Sequence, residues 1–293
     1  MLDAALLSAI HDLEFVARVT VEGALSGLHR SPFHGYSAEF SQYRHYRAGD
    51  DFKYVDWKLF ARTDRIYTKQ FRETTNARMQ LVVDASASMA FRGAAGASKL
   101  EYARLIAAAL AHLLTFQGDA AGLTVYDEQI RAYLGSRPGR SHLRAILTTL
   151  ANIAPHGRTA SPAALRRAID LLRSRGILVL LSDLYDDEDG VDAELRRAAR
   201  MGHDVTVFHV LTDDEMTWPW RGDVEVEDSE TGRRLLTSTT RAAEYRARMQ
   251  AFVQRWQERC TAAGLVYVLA TTTASPDHTL KEYLLRRGRG PLR

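Results

Sequence analysis

The chain of 293 residues contains a single cysteine, Cys260. A lone thiol closes no internal disulfide, so the natural setting is a reducing compartment. No apolar stretch reaches the length a bilayer requires, which excludes a membrane span on this reading. The N-terminus has no basic region ahead of its apolar residues and does not read as a secretory signal. The expected location is the cytoplasm. Strong charge is lacking too: the net formal charge is +3, and arginine is spread among balancing acids. No nucleic-acid partner is expected, and the run Arg286-Arg287-Gly288-Arg289-Gly290 reads as a solvated tail. Several catalytic signatures are missing, among them Gly-x-Ser-x-Gly, His-Glu-x-x-His and any Cys/His metal cluster. The glycines of 93–99 are wrongly spaced for a phosphate loop and read as a mobile connection. The acidic run Asp186-Asp187-Glu188-Asp189 reads as a solvated loop, because a calcium hand ending there would need ligands at Tyr185 and Arg196.

What is present is the composition of a globular protein able to bury a real core, with 46% hydrophobic residues. The N-terminal pattern Leu6, Ile10, Leu13, Phe15, Val16, Val19 predicts an amphipathic helix packed on its own protein. From about residue 79, apolar runs alternate with helical periodicity. Strands are expected at 79–83, 120–126, 130–133, 177–181, 205–210 and 266–270. Helices are expected at 99–116, 141–153, 161–174, 191–201, 241–263 and 280–286. Ser98 and Glu101 form a capping-box pattern, and the tight turn at 127–129 makes 120–126 and 130–133 an antiparallel pair. Residues 223–237 read as an exposed hairpin. Strands alternating with helices predict an α/β fold with a doubly wound, mostly parallel sheet. Residues 76–293 would form that domain. Residues 1–75, without enough periodic apolar sequence for a core, would form an extension wrapping it, with 66–73 pairing beside 79–83.

In doubly wound sheets ligands sit outside the carboxyl ends of the strands, which directs attention to three loops. The first strand ends in Asp84-Ala85-Ser86-Ala87-Ser88, where a carboxylate and two hydroxyls at alternate positions converge if the loop curls. The strand at 177–181 is followed by Ser182-Asp183, a second carboxylate. The loop before the Pro162 helix offers Thr159. Hard oxygen ligands of this kind suit Mg²⁺, or Mn²⁺ or Ca²⁺ in its place, and disfavour zinc and copper. Each fragment alone is commonplace, but their joint occurrence at strand exits and a helix start indicates a metal site.

Asp84, Ser86, Ser88, Thr159 and Asp183 in this order resemble the metal-ion-dependent adhesion site (MIDAS) of von Willebrand factor A domains. In that family the hydroxyls contact the metal directly or through water, the aspartates act mainly through water, and an acidic group of a partner completes the shell. Asp183 lies in Ser-Asp-Leu where many relatives have Thr-Asp-Gly. Upstream, Tyr43-Arg44-His45-Tyr46-Arg47-Ala48-Gly49-Asp50-Asp51-Phe52-Lys53-Tyr54-Val55-Asp56-Trp57, with Ala61-Arg62 and the earlier run Gly27 to Gly35, resembles the bacterial DUF58 family. There a similar segment precedes a von Willebrand A-like domain. The resemblance implies an adaptor or co-chaperone role beside a MoxR-type AAA+ ATPase.

Two further expectations complete the reading. The 43–62 segment reads either as a binding surface or, the preferred reading, as a structural collar, with Asp50, Asp51 and Asp56 paired to Arg44, Arg47 and Arg62 around a buried Trp57. The chain is expected not to be an enzyme, because the metal loops show no poised His, Lys or additional carboxylate. The rival is a Mg²⁺-dependent phosphatase or phosphotransferase of haloacid dehalogenase type with Asp84 as nucleophile. It needs an acid at position 86, which is Ser86, and a lysine for which only Arg173 or Arg175 could stand in.

Overall fold

A computed structural model describes residues 4–26, 37–47, 55–74, 77–157, 161–172, 174–229 and 232–288. They fall into two compact units, one built from residues 1–32 and 77–293 and the other from 33–76.

The larger unit is a six-stranded sheet between helices. In chain order its strands are β3 (Arg78–Asp84), β4 (Ala120–Tyr126), β5 (Ile130–Arg137), β6 (Ile177–Ser182), β7 (Asp204–Leu211) and β10 (Val266–Thr271). Their spatial order is β10-β7-β6-β3-β4-β5, parallel throughout except for β5 at the edge. The central strands are covered on both faces, which is why β6 is one unbroken apolar run ending in serine. On one face α5 (Ser161–Asp170), α6 (Glu188–Arg200) and α8 (Ala242–Ala262) pack Leu165, Leu195 and Trp256 against Val82, Leu180 and Val207. On the other lies α3 (Lys99–Gln117), accompanied by α4 (Arg140–Asn152) and α9 (Pro276–Gly288). The doubly wound, mostly parallel sheet expected from the alternation of elements is therefore what forms. A small hairpin, β8 (Asp223–Glu227) with β9 (Arg234–Ser238), follows α7 (Asp213–Thr217). Among the described residues no helix is long and apolar enough to cross a membrane.

The N-terminal helix α1 (Ala4–Leu25) packs on α3, α4 and α9. Its buried stripe is Ile10, Ala17, Val21 and Ala24, whereas Phe15, Val16 and Val19 are exposed. The expected stripe is thus rotated: small residues at 17 and 24 let the helix sit close, and the bulkier Phe15 and Val16 stay outside.

The smaller unit holds β1 (Ser37–His45), α2 (Trp57–Thr63) and β2 (Tyr67–Thr74). β1 and β2 pair antiparallel, with a register shift between Phe40 and Gln42. The expected pairing of 66–73 with 79–83 does not occur. β3 has β4 on one side and β6 on the other, so both of its hydrogen-bonding edges are taken. One part of the collar is corrected, the buried Trp57. Trp57 is 56% exposed. Asp56 caps α2 by accepting from the Leu59 N–H at 3.0 Å, and it accepts from the Tyr43 hydroxyl at 2.8 Å. Asp50 and Asp51 lie outside the described residues.

Candidate functional site

The sheet changes direction between β3 and β6. The chain first builds outward through β4 and β5, then returns to add β6, β7 and β10 on the other side. At such a switch point the loops leaving two neighbouring parallel strands part and open a crevice. Asp84 ends β3, and Ser182 ends β6 immediately before Asp183. The in-register contact of Val83 with Leu181 sets the two exits side by side.

Asp84 is fully buried. Its Oδ1 accepts from the Ser86 N–H at 2.9 Å, and its Oδ2 accepts from the Ser182 hydroxyl at 2.7 Å and the Tyr126 hydroxyl at 3.4 Å. A short 3₁₀ turn, Ala87–Ala90, curls the loop so that the Ser86 and Ser88 hydroxyls stand 3.1 Å apart. Burial, and then the nearby Asp183 charge, push the Asp84 carboxyl up to about 7. Four of the five expected residues, Asp84, Ser86, Ser88 and Asp183, are thereby gathered at one place, with Asp84, Ser86 and Asp183 buried. Thr159 lies outside the described residues. The described residues His156 and Gly157 are tied to the 84–88 loop, because the Ala87 N–H donates to the Gly157 carbonyl and the His156 N–H to the Ala85 carbonyl.

Sequence reasoning missed a lysine here. Lys99, at the start of α3, is 1% exposed, and its ammonium donates to Asp183 Oδ2 and to Glu215 Oε1, both at 2.7 Å. Burial alone would lower its pKa, but the two carboxylates outweigh that and the net shift is upward. Glu215 is held in turn by the Thr212 capping box of α7. The only local signal was the helix start at Ser98. The expectation that no lysine attends these loops is corrected. Arg175 does not play that part: it precedes β6 and so stands at the opposite end of the sheet, and Arg173 lies outside the described residues.

His209 fixes the backbone of the second loop. It is fully buried, with Nε2 3.0 Å from the Asp183 carbonyl and Nδ1 2.8 Å from the Tyr267 hydroxyl. A carbonyl only accepts, so Nε2 carries the proton and Nδ1 accepts from Tyr267. Burial lowers the His209 pKa to about 4, which keeps the ring neutral.

The glycine connection is not loose. The Ala94 N–H donates to Asp214 at 2.6 Å. Gly96 has φ +89°, and a Cβ there would lie 2.8 Å from the Thr272 carbonyl oxygen, so glycine is required. The acidic run is likewise structured: Asp187 caps α6, Glu188 pairs with Arg255, and Asp189 pairs with Arg259.

Asp84, Asp183, Ser86 and Ser88 offer hard oxygen donors of the kind a divalent cation takes, while among the described residues no group of three or more His, Cys, Asp or Glu side chains is placed to hold a metal. Three carboxylates are buried here: Asp183 and Glu215 hold the Lys99 ammonium, and Asp84 accepts only from hydroxyls and a backbone N–H among the described residues. With all four ionised, two negative charges stay uncompensated among the described residues. Buried charge of this kind calls for a partner. Two carboxylates with adjacent hydroxyls leave room for water in an octahedral shell. Both His209 nitrogens are already engaged, so that ring is no ligand.

The comparisons with known proteins agree with the sequence over most of its length. The family model described as "Protein of unknown function DUF58" matches residues 42–259. Uncharacterized proteins of Mycobacterium tuberculosis and Mycobacterium bovis are 31% identical over 234 residues, covering 78% of this chain and 73% of theirs. Among solved structures, BatB from Bacteroides thetaiotaomicron superimposes with a TM-score of 0.48 at 17% identity, over 72% of this chain and 98% of that one. An aerotolerance-related membrane protein from Bacteroides fragilis gives 0.49 at 19% identity, over 71% and 98%. By the family match and by its mycobacterial relatives, the chain belongs to the DUF58 family.

Proposed function

We propose that this chain is a metal-dependent protein-binding adaptor of the cytoplasm, built on a von Willebrand factor A-like domain, and that it has no catalytic turnover of its own. The observation that carries the reading is the charge imbalance at the switch point: Asp84 and Asp183 are both fully buried, and the Lys99 ammonium that Asp183 holds is shared with Glu215. Asp84 and Asp183 would supply the negative charge of the site, and Ser86, Ser88 and Thr159 the hydroxyls. A Mg²⁺ ion bound there would offer an exchangeable position and positive charge to an acidic side chain of a partner. The buried hydrogen bonds of Asp84 to Ser182 and Ser86 hold its carboxylate rigid, which suits a fixed docking point. The resemblance to DUF58 proteins and the MIDAS pattern supports a MoxR-type AAA+ ATPase as partner.

Co-purification tests the reading. A tagged full chain, mixed with the MoxR-type ATPase of the same genome, is expected to retain it in Mg²⁺ and to release it in EDTA. The Asp84→Ala variant is expected not to retain it, while keeping its far-UV circular dichroism. Retention indifferent to both EDTA and Asp84→Ala would overturn the metal-bridged mechanism.

A further inference from the structure

Beside the Ser88 end of the loop lies a cavity of about 850 Å³, walled by β8, the two residues after it and α8. Its lining includes Trp218, Trp220, Tyr245 and Phe252, and it reaches Ser88 and Lys99. Pockets of this size with apolar walls and few polar groups are the usual seats of ligand side chains. Trp218 and Trp220 meet edge to face at 5.2 Å, and Trp218 and Tyr245 stand 4.8 Å apart. Trp218 ends α7 with φ +52°. A bulky residue rarely adopts that conformation, and such backbone outliers gather at ligand clamps.

The charges around the cavity narrow its occupant. Lys99 reaches the floor, but Asp183 and Glu215 take up its ammonium. The hairpin wall carries Glu225, Glu227 and Asp228, and Arg234 bridges the first two at 3.8 and 3.0 Å. A cluster of acids would therefore be repelled, and the lining's other cation, Arg248, is taken up by Glu244 at 2.6 Å. A large apolar side chain is the group that gains most from these walls.

We infer that this cavity is a specificity pocket for a leucine-sized or aromatic side chain of the partner, lying within a few residues of the acidic group that reaches the metal loop. The inference rests on the metal-dependent reading above. Continuity supports it, since Ser88 belongs both to the loop and to the cavity lining. An extended segment advances about 3.3–3.6 Å per residue, so one short stretch spans both features. The recognised segment is then one acid with an apolar neighbour, not an acidic run.

The test uses the full chain on an array of hexapeptides. One glutamate is fixed, and the other positions vary over alanine, leucine, tryptophan, lysine and glutamate. In Mg²⁺, peptides with leucine or tryptophan within three residues of the glutamate are expected to retain about tenfold more protein than their alanine counterparts. Trp220→Ala should erase that preference while Mn²⁺ binding, read by electron paramagnetic resonance, is unchanged. If Trp220→Ala loses its thermal transition, Val226→Asp on the half-exposed hairpin wall replaces it. Preference for lysine or for additional glutamates, equal retention of all peptides, or retention of none overturns the pocket. Loss of the apolar preference alone, with Mn²⁺ binding intact in the parent, leaves the metal reading standing. An apolar preference that survives both EDTA and Asp84→Ala overturns the metal reading and leaves an apolar pocket standing without its acidic companion.

Discussion

At the scale of single residues, the site depends on a buried ammonium held between two carboxylates. Lys99→Met would leave Asp183 and Glu215 buried without their counter-charge, and breaking a buried pair in this way costs about 3–5 kcal/mol. Urea denaturation should show a loss of that order, partly restored in the double variant Lys99→Met/Glu215→Gln. A loss below about 1 kcal/mol, the value of an exposed pair, would mean that the triad contributes little. His209 gives a second expectation. Its folded pKa, about 4, lies below its ordinary 6.5 because burial disfavours the charged ring. The unfolded chain therefore takes up a proton first, and the stability from neutral His209 is complete above pH 6.5 and lost as pH falls through 4. Denaturation at pH 7 and pH 4.5 should show this slope in the parent and a shallower one in His209→Gln; equal slopes would remove His209 from the account. Asp84, Ser86, Ser88 and Asp183 were legible in the sequence because they follow recognisable strands. Lys99 was not, because its partners lie 84 and 116 residues away and no local pattern records them.

At the scale of elements, legibility followed the strength of local signals. The capping box that starts α3 forms as its Ser98-x-x-Glu101 spacing implies, with both reciprocal bonds present. Ser98→Ala should cost about 1 kcal/mol in thermal denaturation, and a neutral result would show that Lys99 alone anchors this helix start. β3 and β6 were readable as buried apolar runs. The partner of β2 was not, because alternation gives a strand's two faces and says nothing about which edge it pairs along. β2 took the antiparallel neighbour in its own unit, β1, while β3 was already enclosed by two parallel strands. In the 93–99 connection glycine suggests looseness to a reader of the sequence. In the fold, Gly96 permits a close approach to the Thr272 carbonyl. Gly96→Ala should lower the melting temperature, since it adds both a left-handed backbone penalty and a contact with rigid main chain.

At the scale of the whole molecule, the sheet order explains why the site lies where it does. β3 starts the sheet and stays at its middle, so the loop after it meets the loop after β6 at the single reversal of direction. Among its described residues the 33–76 unit offers a two-stranded antiparallel pair and a seven-residue helix, too little to be stable alone. Expressed by itself it should show no cooperative unfolding transition, and a sharp transition would make it a domain in its own right. The central claim is that the buried carboxylates at the switch point hold a divalent cation. Calorimetric titration of the full chain, freed of metal, with Mg²⁺ or Mn²⁺ tests it most directly. The account predicts one saturable site, lost in Asp84→Ala and weakened in Ser86→Ala with the fold intact. Absence of binding in the parent chain, or binding unchanged by Asp84→Ala, would contradict it.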